Sequence, residues 1–181
     1  MSRNAIITLI VICIVMIIAG IFTYSVLQKN TINENTKEIF KAETEDFAYT
    51  DLAGNTVSLE QYLGKVLVVT SWASWSPFSK NDLTELNELA SRYNKEKFVF
   101  IAINRKENKE MADRFMKTLP DLGNLLVILD PSDHFYNAVS GYAMPETVVF
   151  DTQGEIVLHI KGVAKVDDIK KELEILVANE S

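Results

Sequence analysis

Two serines three positions apart, Ser76 and Ser79, lie in the segment SWASWSPFSK together with both tryptophans of the chain. A serine hydroxyl becomes a nucleophile when a general base and an oxyanion site lie beside it. The chain has two histidines, His134 and His159, and neither stands in a hydrolase-like motif, so we expect no catalytic serine. Serine is a preferred helix N-cap and proline suits the first helical position. The segment therefore predicts that Ser76 caps a helix that starts at Pro77.

We expect no metal, no cofactor and no nucleic acid. The two histidines are far apart in sequence, no Asp/Glu cluster has the spacing of metal ligands, and the only cysteine is Cys13. The formal net charge is −7, and no cluster of Lys and Arg could follow a phosphate backbone. The excess of acidic residues is typical of a solvated protein surface.

The N-terminal part of the chain is far more apolar than the rest. No charged residue lies between Arg3 and Lys29, and about 20 apolar helical residues are enough to cross a bilayer core of about 30 Å. The run is long and no small-x-small site follows it, which favours an uncleaved anchor over a signal peptide. We predict a short tail at 1–4, a transmembrane anchor at 5–27, a polar tether at 28–45 and a folded domain at 46–181. The positive-inside rule mildly favours a single-pass protein of the cell membrane whose C-terminal domain lies outside the cytoplasm.

Strand and helix patterns alternate along the predicted domain. Residues 66–72 form a continuous apolar run, which is typical of a strand covered on both faces. Leucine and methionine at helical spacing predict amphipathic helices, with Met111 and Val177 among the inward residues. The pattern predicts an α/β fold with a central mixed sheet and helices on both faces. The predicted strands are 66–72, 98–103 and 125–129, the hairpins 47–59 and 147–160, the helices 81–93, 108–119, 134–139 and 166–177, and a helical turn lies at 58–63.

Several segments together resemble one protein family. VLVVTSWASWSPFSKNDLTELNEL is similar to the active-site strand and helix of membrane-anchored thioredoxin-like proteins of the TlpA/ResA/CcmG type. DLAGNTVSLEQYLGKVLVV, FVFIAINRKENKEMADRFMKTL and GYAMPETVVFDTQGEIVLHIKG resemble further family landmarks in the right order. The resemblance covers roughly 46–177 and the single N-terminal anchor. It implies a thioredoxin-like fold and descent from thiol–disulfide oxidoreductases, which act in cytochrome c maturation or disulfide reduction outside the cytoplasm.

The sequence departs from the family at the centre of the motif. Where the family has Trp-Cys-x-x-Cys, this chain has Trp75-Ser76-Pro77-Phe78-Ser79. The resemblance thus implies that Ser76 and Ser79 hold the two catalytic positions, and that no catalytic residue is intact. Disulfide exchange needs a thiolate of lowered pKa and a reversible S–S bond, and a hydroxyl provides neither.

The resemblance also implies a groove. In the family a cis-proline faces the redox pair and offers backbone hydrogen bonds to an extended partner segment, and Met144-Pro145 holds that place here. We expect Trp72 to lie in the core, Trp75 to be exposed at the site, and Glu146, with no thiol to protonate, to be a solvated turn residue. The groove is predicted to comprise Trp75, Ser76, Pro77, Phe78, Ser79, Met144, Pro145 and Glu146.

Two functions remain open from the sequence. The first is a redox-inactive module that binds a polypeptide partner, such as an apocytochrome, another redox protein or an unfolded segment. The second is a disulfide reductase of the cytochrome c maturation or redox homeostasis type whose cysteines were changed to serine by design or by recent loss. The groove serves both functions, so they differ only in the chemistry at Ser76 and Ser79.

Overall fold

The computed structural model of this chain describes residues 10–27, 40 and 49–179, and the chain divides into two units at Glu34. In the first unit, helix α1 (Ile10–Leu27) is long and apolar enough to cross a membrane, with a mean hydropathy of 2.7. The predicted tail at 1–4 lies outside the described residues. So does the predicted tether at 28–45, apart from Phe40, whose ring packs edge-on against Phe150 at 5.4 Å between centroids.

The second unit is built on a seven-stranded sheet. Strands β3, β4 and β5 run parallel to one another, and every other pairing is antiparallel. The mixed sheet predicted from the sequence is therefore confirmed. The strands are β1 (Tyr49–Asp51), β2 (Thr56–Val57), β3 (Val66–Trp72), β4 (Phe98–Arg105), β5 (Leu126–Asp130), β6 (Glu146–Phe150) and β7 (Ile156–Lys161), in the spatial order β2-β1-β5-β4-β3-β6-β7.

Helices cover both faces of the sheet, as predicted. One hydrophobic cluster joins the sheet to α2, α3 and α5, and a second joins its other face to α4 and Phe40. The helices are α2 (Ser79–Ala90), α3 (Lys109–Met116), α4 (His134–Ala138) and α5 (Val166–Asn179), with one turn of 3-10 helix at Glu60–Tyr62.

Strand β3 is an interior strand between β4 and β6, and all seven of its residues are buried. Successive side chains of a strand point to opposite faces. Accordingly Val66 and Val68 belong to the first cluster, whereas Leu67 and Val69 belong to the second. The continuous apolar run thus reflects a strand covered on both sides, as the sequence indicated. It ends at Trp72, which is completely buried.

The prediction that Ser76 caps the following helix is wrong. Helix α2 begins at Ser79, and its N-cap residue, Phe78, makes no side-chain capping bond. Pro77 lies in a turn just before the helix, and Ser76 precedes that turn. A cap accepts a hydrogen bond from the second or third helical N–H. The Ser76 hydroxyl is directed instead at the carbonyl of Met144 in another part of the chain.

Two residues predicted to point inward are exposed. The side chain of Met111 is 38% exposed, because α3 packs through Ala112 and Phe115. Val177 is exposed as well, since α5 packs through the stripe Ile169, Leu173 and Leu176. Both helices are amphipathic as predicted, but the stripe of side chains that packs against the sheet is narrower than the apolar stripe in the sequence.

Candidate functional site

The residues with functional potential converge at the carboxyl ends of the parallel strands. Trp72 ends β3 and leads into the loop 73–78, from which α2 departs, while Met144 and Pro145 precede β6. Ligand sites of open α/β sheets lie at this end of the strands. A depression of about 300 Å³ lies at the other end, lined by Phe98 and Leu126 among others, and it holds none of the residues singled out from the sequence.

The two serines are enclosed and hydrogen-bonded within the protein. Ser79 is completely buried, and its hydroxyl accepts a hydrogen bond from the Ala73 N–H at 3.3 Å. Ser76 is 4% exposed, and its hydroxyl donates to the Met144 carbonyl at 3.4 Å. The Ser79 N–H also donates to the Ser76 carbonyl. Both hydroxyls thus contact backbone groups of the protein, whereas an activated nucleophile would lie beside a general base.

The loop before β6 meets the loop 73–78, which we call the serine loop. The bond from Ser76 to Met144 joins the two loops directly. The Met144–Pro145 peptide bond is cis, and the Pro145 carbonyl accepts a hydrogen bond from Gly162 at 3.1 Å. Pro145 itself is buried and Met144 is half-buried. Tertiary contacts thus hold this turn on both sides.

The expectation that Glu146 is a solvated turn residue is wrong. Glu146 is the first residue of β6, which lies between β3 and β7, and its side chain is buried. Its carboxylate accepts hydrogen bonds from the N–H groups of Tyr142 and Ala143, at 2.7 and 2.9 Å, and contacts the His159 ring. Burial acts to raise the pKa of Glu146, but the bonds from His159 and the two backbone N–H groups outweigh it and lower the pKa. The carboxylate therefore fixes the loop that leads to Pro145.

A second buried carboxylate, Glu107, holds the serine loop in place through Ser74, a role that the sequence did not predict. Glu107 follows β4, and its carboxylate accepts hydrogen bonds from the Ser74 N–H at 2.9 Å and the Ser74 hydroxyl at 2.5 Å. The Asn104 side chain donates to the same carboxylate at 2.7 Å. The signal that could have identified Glu107 is its place just after the carboxyl end of a parallel strand.

A third buried carboxylate, Asp82, lies on the first turn of α2 and was also missed. Its side chain accepts a hydrogen bond from the Ala164 N–H at 3.3 Å. Burial raises the pKa of Asp82 to about 6, and this N–H only partly offsets the effect. An acidic residue beside the inward leucine Leu83 was the sequence signal for a carboxylate at the core boundary.

Of the eight predicted groove residues, four are buried, three are exposed and Met144 is half-buried. Trp75 is 62% exposed, and Pro77 and Phe78 are exposed beside it. Tyr142, which the sequence did not indicate as a site residue, is 85% exposed on the loop before β6. Exposed aromatic side chains on loops held from below are typical of a binding surface. Among the described residues, no three His, Cys, Asp or Glu side chains are grouped so as to hold a metal ion. The buried residues of the predicted groove are Ser76, Ser79, Pro145 and Glu146.

Comparisons with known proteins agree with this architecture. The family model of the redoxins matches residues 39–174. Thiol-disulfide oxidoreductase ResA of Geobacillus kaustophilus is 30% identical over 149 residues, which are 80% of this chain and 82% of the relative. The structure of a thiol:disulfide interchange protein DsbE from Chlorobium tepidum superposes with a TM-score of 0.63 at 25% identity, over 73% of this chain and 92% of the other. The exposed lipoprotein thioredoxin of Streptococcus pneumoniae has a TM-score of 0.61 at 27% identity, over 72% and 98% of the two chains.

Proposed function

This chain belongs to the redoxin family, as a thioredoxin-like protein of the TlpA/ResA/CcmG type, and we propose that it is a membrane-anchored polypeptide-binding module that does not exchange disulfides. One observation carries the proposal. The chain has a single cysteine, Cys13 in α1, while the two loops of the site are in contact and each is held by a buried carboxylate. The domain thus keeps an ordered site without a thiol.

The chemistry of the two serines supports the loss of exchange. We assign Ser76 and Ser79 to the positions of the family's two cysteines, following the resemblance of the motif. An alcohol ionises far above neutral pH, whereas the attacking group in exchange is a thiolate whose pKa lies near or below neutrality. Oxygen also cannot form the mixed disulfide through which two electrons pass. Both hydroxyls form hydrogen bonds within the protein and cannot exchange disulfides. The activity that we propose for this site is therefore binding.

The exposed rim defines the class of partner. Trp75 and Phe78 offer aromatic surface, and Tyr142 offers more from the loop across the groove. An extended polypeptide can place apolar side chains on such a surface and pair its backbone with an irregular loop. We propose a polypeptide partner of this kind, such as an apocytochrome or another redox protein. Anchoring by α1 would hold the domain at the outer face of the cell membrane.

The test uses the full chain in lipid nanodiscs, with Cys13→Ala as the background so that no thiol remains. The probe is fluorescein-labelled, carboxymethylated insulin B chain, an unfolded polypeptide without free thiols. We expect saturable binding, measured by anisotropy, that weakens about 3- to 30-fold in Trp75→Ala, as for a central aromatic contact. Ile175→Ala, an exposed apolar residue on α5, is the matched control and should bind as the parent does.

A second arm examines the chemistry. The parent should not accelerate the reduction of intact insulin by dithiothreitol, whereas Ser76→Cys with Ser79→Cys should form a disulfide and restore some reduction, because the loops that position the pair are in place. Reduction by the parent would disprove the proposed loss of exchange. Equal binding by the parent and Trp75→Ala would disprove the proposed groove. A folded double variant with neither disulfide nor activity would show that the site has diverged from its relatives.

A further inference from the structure

A second depression lies between the serine loop and α3, beside Ser74, the residue that precedes Trp75. We call this depression the side pocket. It has a volume of about 240 Å³ and is lined by Ser74, Met111, Arg114 and Phe115. None of these residues belongs to the groove predicted from the sequence. Pockets for small molecules usually occupy roughly 300–1,000 Å³. The side pocket is smaller, and its size suits a single large side chain.

The floor and one wall of the side pocket are held in place by the core. The Phe115 ring stacks on the buried Trp72 indole, with 5.2 Å between centroids and 27° between planes. Ser74 is fixed by its two hydrogen bonds to Glu107, which is itself buried and bonded to Asn104. A pocket that is formed before binding requires little ordering when a partner arrives. The side pocket is therefore already formed in the protein without a partner.

The rim of the side pocket carries positive charge. Arg114 is exposed, its Nε donates only to the Glu110 carbonyl at 3.3 Å, and within 49–179 it forms no salt bridge. The adjacent Asp113 is engaged by Lys109 at 2.7 Å. Lys80 of α2 adds a second cation near this end of α3, since its Nζ donates to the Thr118 carbonyl. A carboxylate on a partner would find a matching charge here.

We infer that the groove continues into the side pocket, and that the bound polypeptide places a large apolar side chain on Met111 and Phe115 with a neighbouring carboxylate against Arg114. The inference rests on the proposed function and makes it more specific, because it gives the partner a local sequence preference for an acidic residue beside an apolar one. Methionine adapts its shape to different side chains, and arginine is enriched at binding hot spots. The whole chain has a net charge of −7, so a preference for an acidic peptide has to arise locally.

The experiment compares three short fluorescein-labelled peptides with Gly-Ser flanks and the centres Glu-Phe-Glu, Gln-Phe-Gln and Lys-Phe-Lys. Binding to the full chain in nanodiscs is measured by anisotropy at low and high salt. We expect the Glu peptide to bind about 3- to 10-fold more tightly than the Gln peptide at low salt, as for a partly desolvated ion pair, and the difference to shrink at high salt. Arg114→Ala should abolish this difference, and Arg114→Lys should retain part of it. Arg92→Ala, an exposed arginine just beyond α2, is the matched control and should leave it unchanged.

Met111→Ala tests the apolar part of the side pocket and should weaken all three peptides by similar factors. If the native chain does not prefer the Glu peptide, or if Arg114→Ala keeps the preference, the inference is wrong. The proposed function would still stand if all three peptides bound alike and all weakened in Trp75→Ala. It would fall as well if Trp75→Ala bound every peptide as the native chain does. The side-pocket inference and the proposed function can therefore be disproved independently.

Discussion

Asp82 and Glu146 are both buried carboxylates near the serine loop, but their effects on stability depend on pH in opposite ways. Burial raises the pKa of Asp82 to about 6. Between its ordinary pKa and this value the folded state binds more protons than the unfolded state, so its contribution to stability falls as pH rises. Hydrogen bonds lower the pKa of Glu146 despite its burial. Its stabilising contribution is present above the ordinary pKa and is lost as pH falls through the lowered one.

Replacing Asp82 should stabilise the domain at neutral pH. Asp82→Asn keeps an oxygen for the Ala164 N–H but removes the buried charge. A pKa raised by about two units corresponds to at most about 3 kcal/mol, so we expect a gain of about 1–3 kcal/mol in the free energy of unfolding near pH 8, and a gain close to zero near pH 4. Denaturant titrations followed by tryptophan fluorescence would measure both values.

Glu146→Gln is the matched control for that prediction, because it neutralises the other buried carboxylate. It should lower stability at about pH 8 and have a smaller effect at about pH 4, where the native carboxylate approaches its own protonation. Variants that changed stability in the same direction at neutral pH would contradict the opposed pKa shifts of the two carboxylates.

At the scale of elements, the two helices beside the site begin in different ways. Helix α3 has a true N-cap, since the Asn108 side chain accepts a hydrogen bond from the Met111 N–H at 3.0 Å. Helix α2 has none at Phe78, and Ser76 lies three residues before it begins. The start of α2 is held by tertiary contacts of the serine loop, such as the bond from the Ala73 N–H to Ser79.

This difference predicts unequal costs for two similar truncations. Asn108→Ala should lower the free energy of unfolding by about 1 kcal/mol, the usual value for a lost cap. Ser76→Ala should cost about 0.5 kcal/mol or less, since it removes one long hydrogen bond and no cap. Denaturant titration of the two variants gives the comparison directly. A larger loss for Ser76→Ala would mean that its hydroxyl stabilises the helix after all.

The elements that the sequence predicted well are those defined by local pattern. Strand β3 was placed from Val66 to Trp72 because burial on both faces leaves a continuous apolar run. The mistakes concern residues whose surroundings come from distant parts of the chain. Glu146 is buried because β3 and β7 flank it, and Ser76 is turned away from its helix by Met144. Glu107 escaped notice because its partners, Ser74 and Asn104, meet only in the fold.

At the scale of the whole molecule, the proposed insertion of α1 in a membrane makes its orientation decide which partners the domain can meet. Arg3 precedes the apolar run and the residues after it are rich in Asn, Thr and Glu, which favours a cytoplasmic N-terminus. Alkaline phosphatase fused after Ser181 should then be active in bacterial cells, and β-galactosidase fused at the same point should be inactive. The reverse pattern would place the domain in the cytoplasm, away from exported polypeptides.

The confinement of the only cysteine to α1 has a consequence for the covalent state of the rest of the chain. Beyond α1 no sulfur can pass through sulfenic acid or be capped by glutathione, so refolding has no disulfide shuffling to complete. The sulfur atoms that an oxidant can reach in the described domain are thioethers. Met111 is exposed and Met144 half-buried, and conversion of either to the sulfoxide would make an apolar side chain polar beside the proposed binding surface. Peroxide would thus change the polarity of that surface and leave the chain beyond α1 without new disulfide bonds.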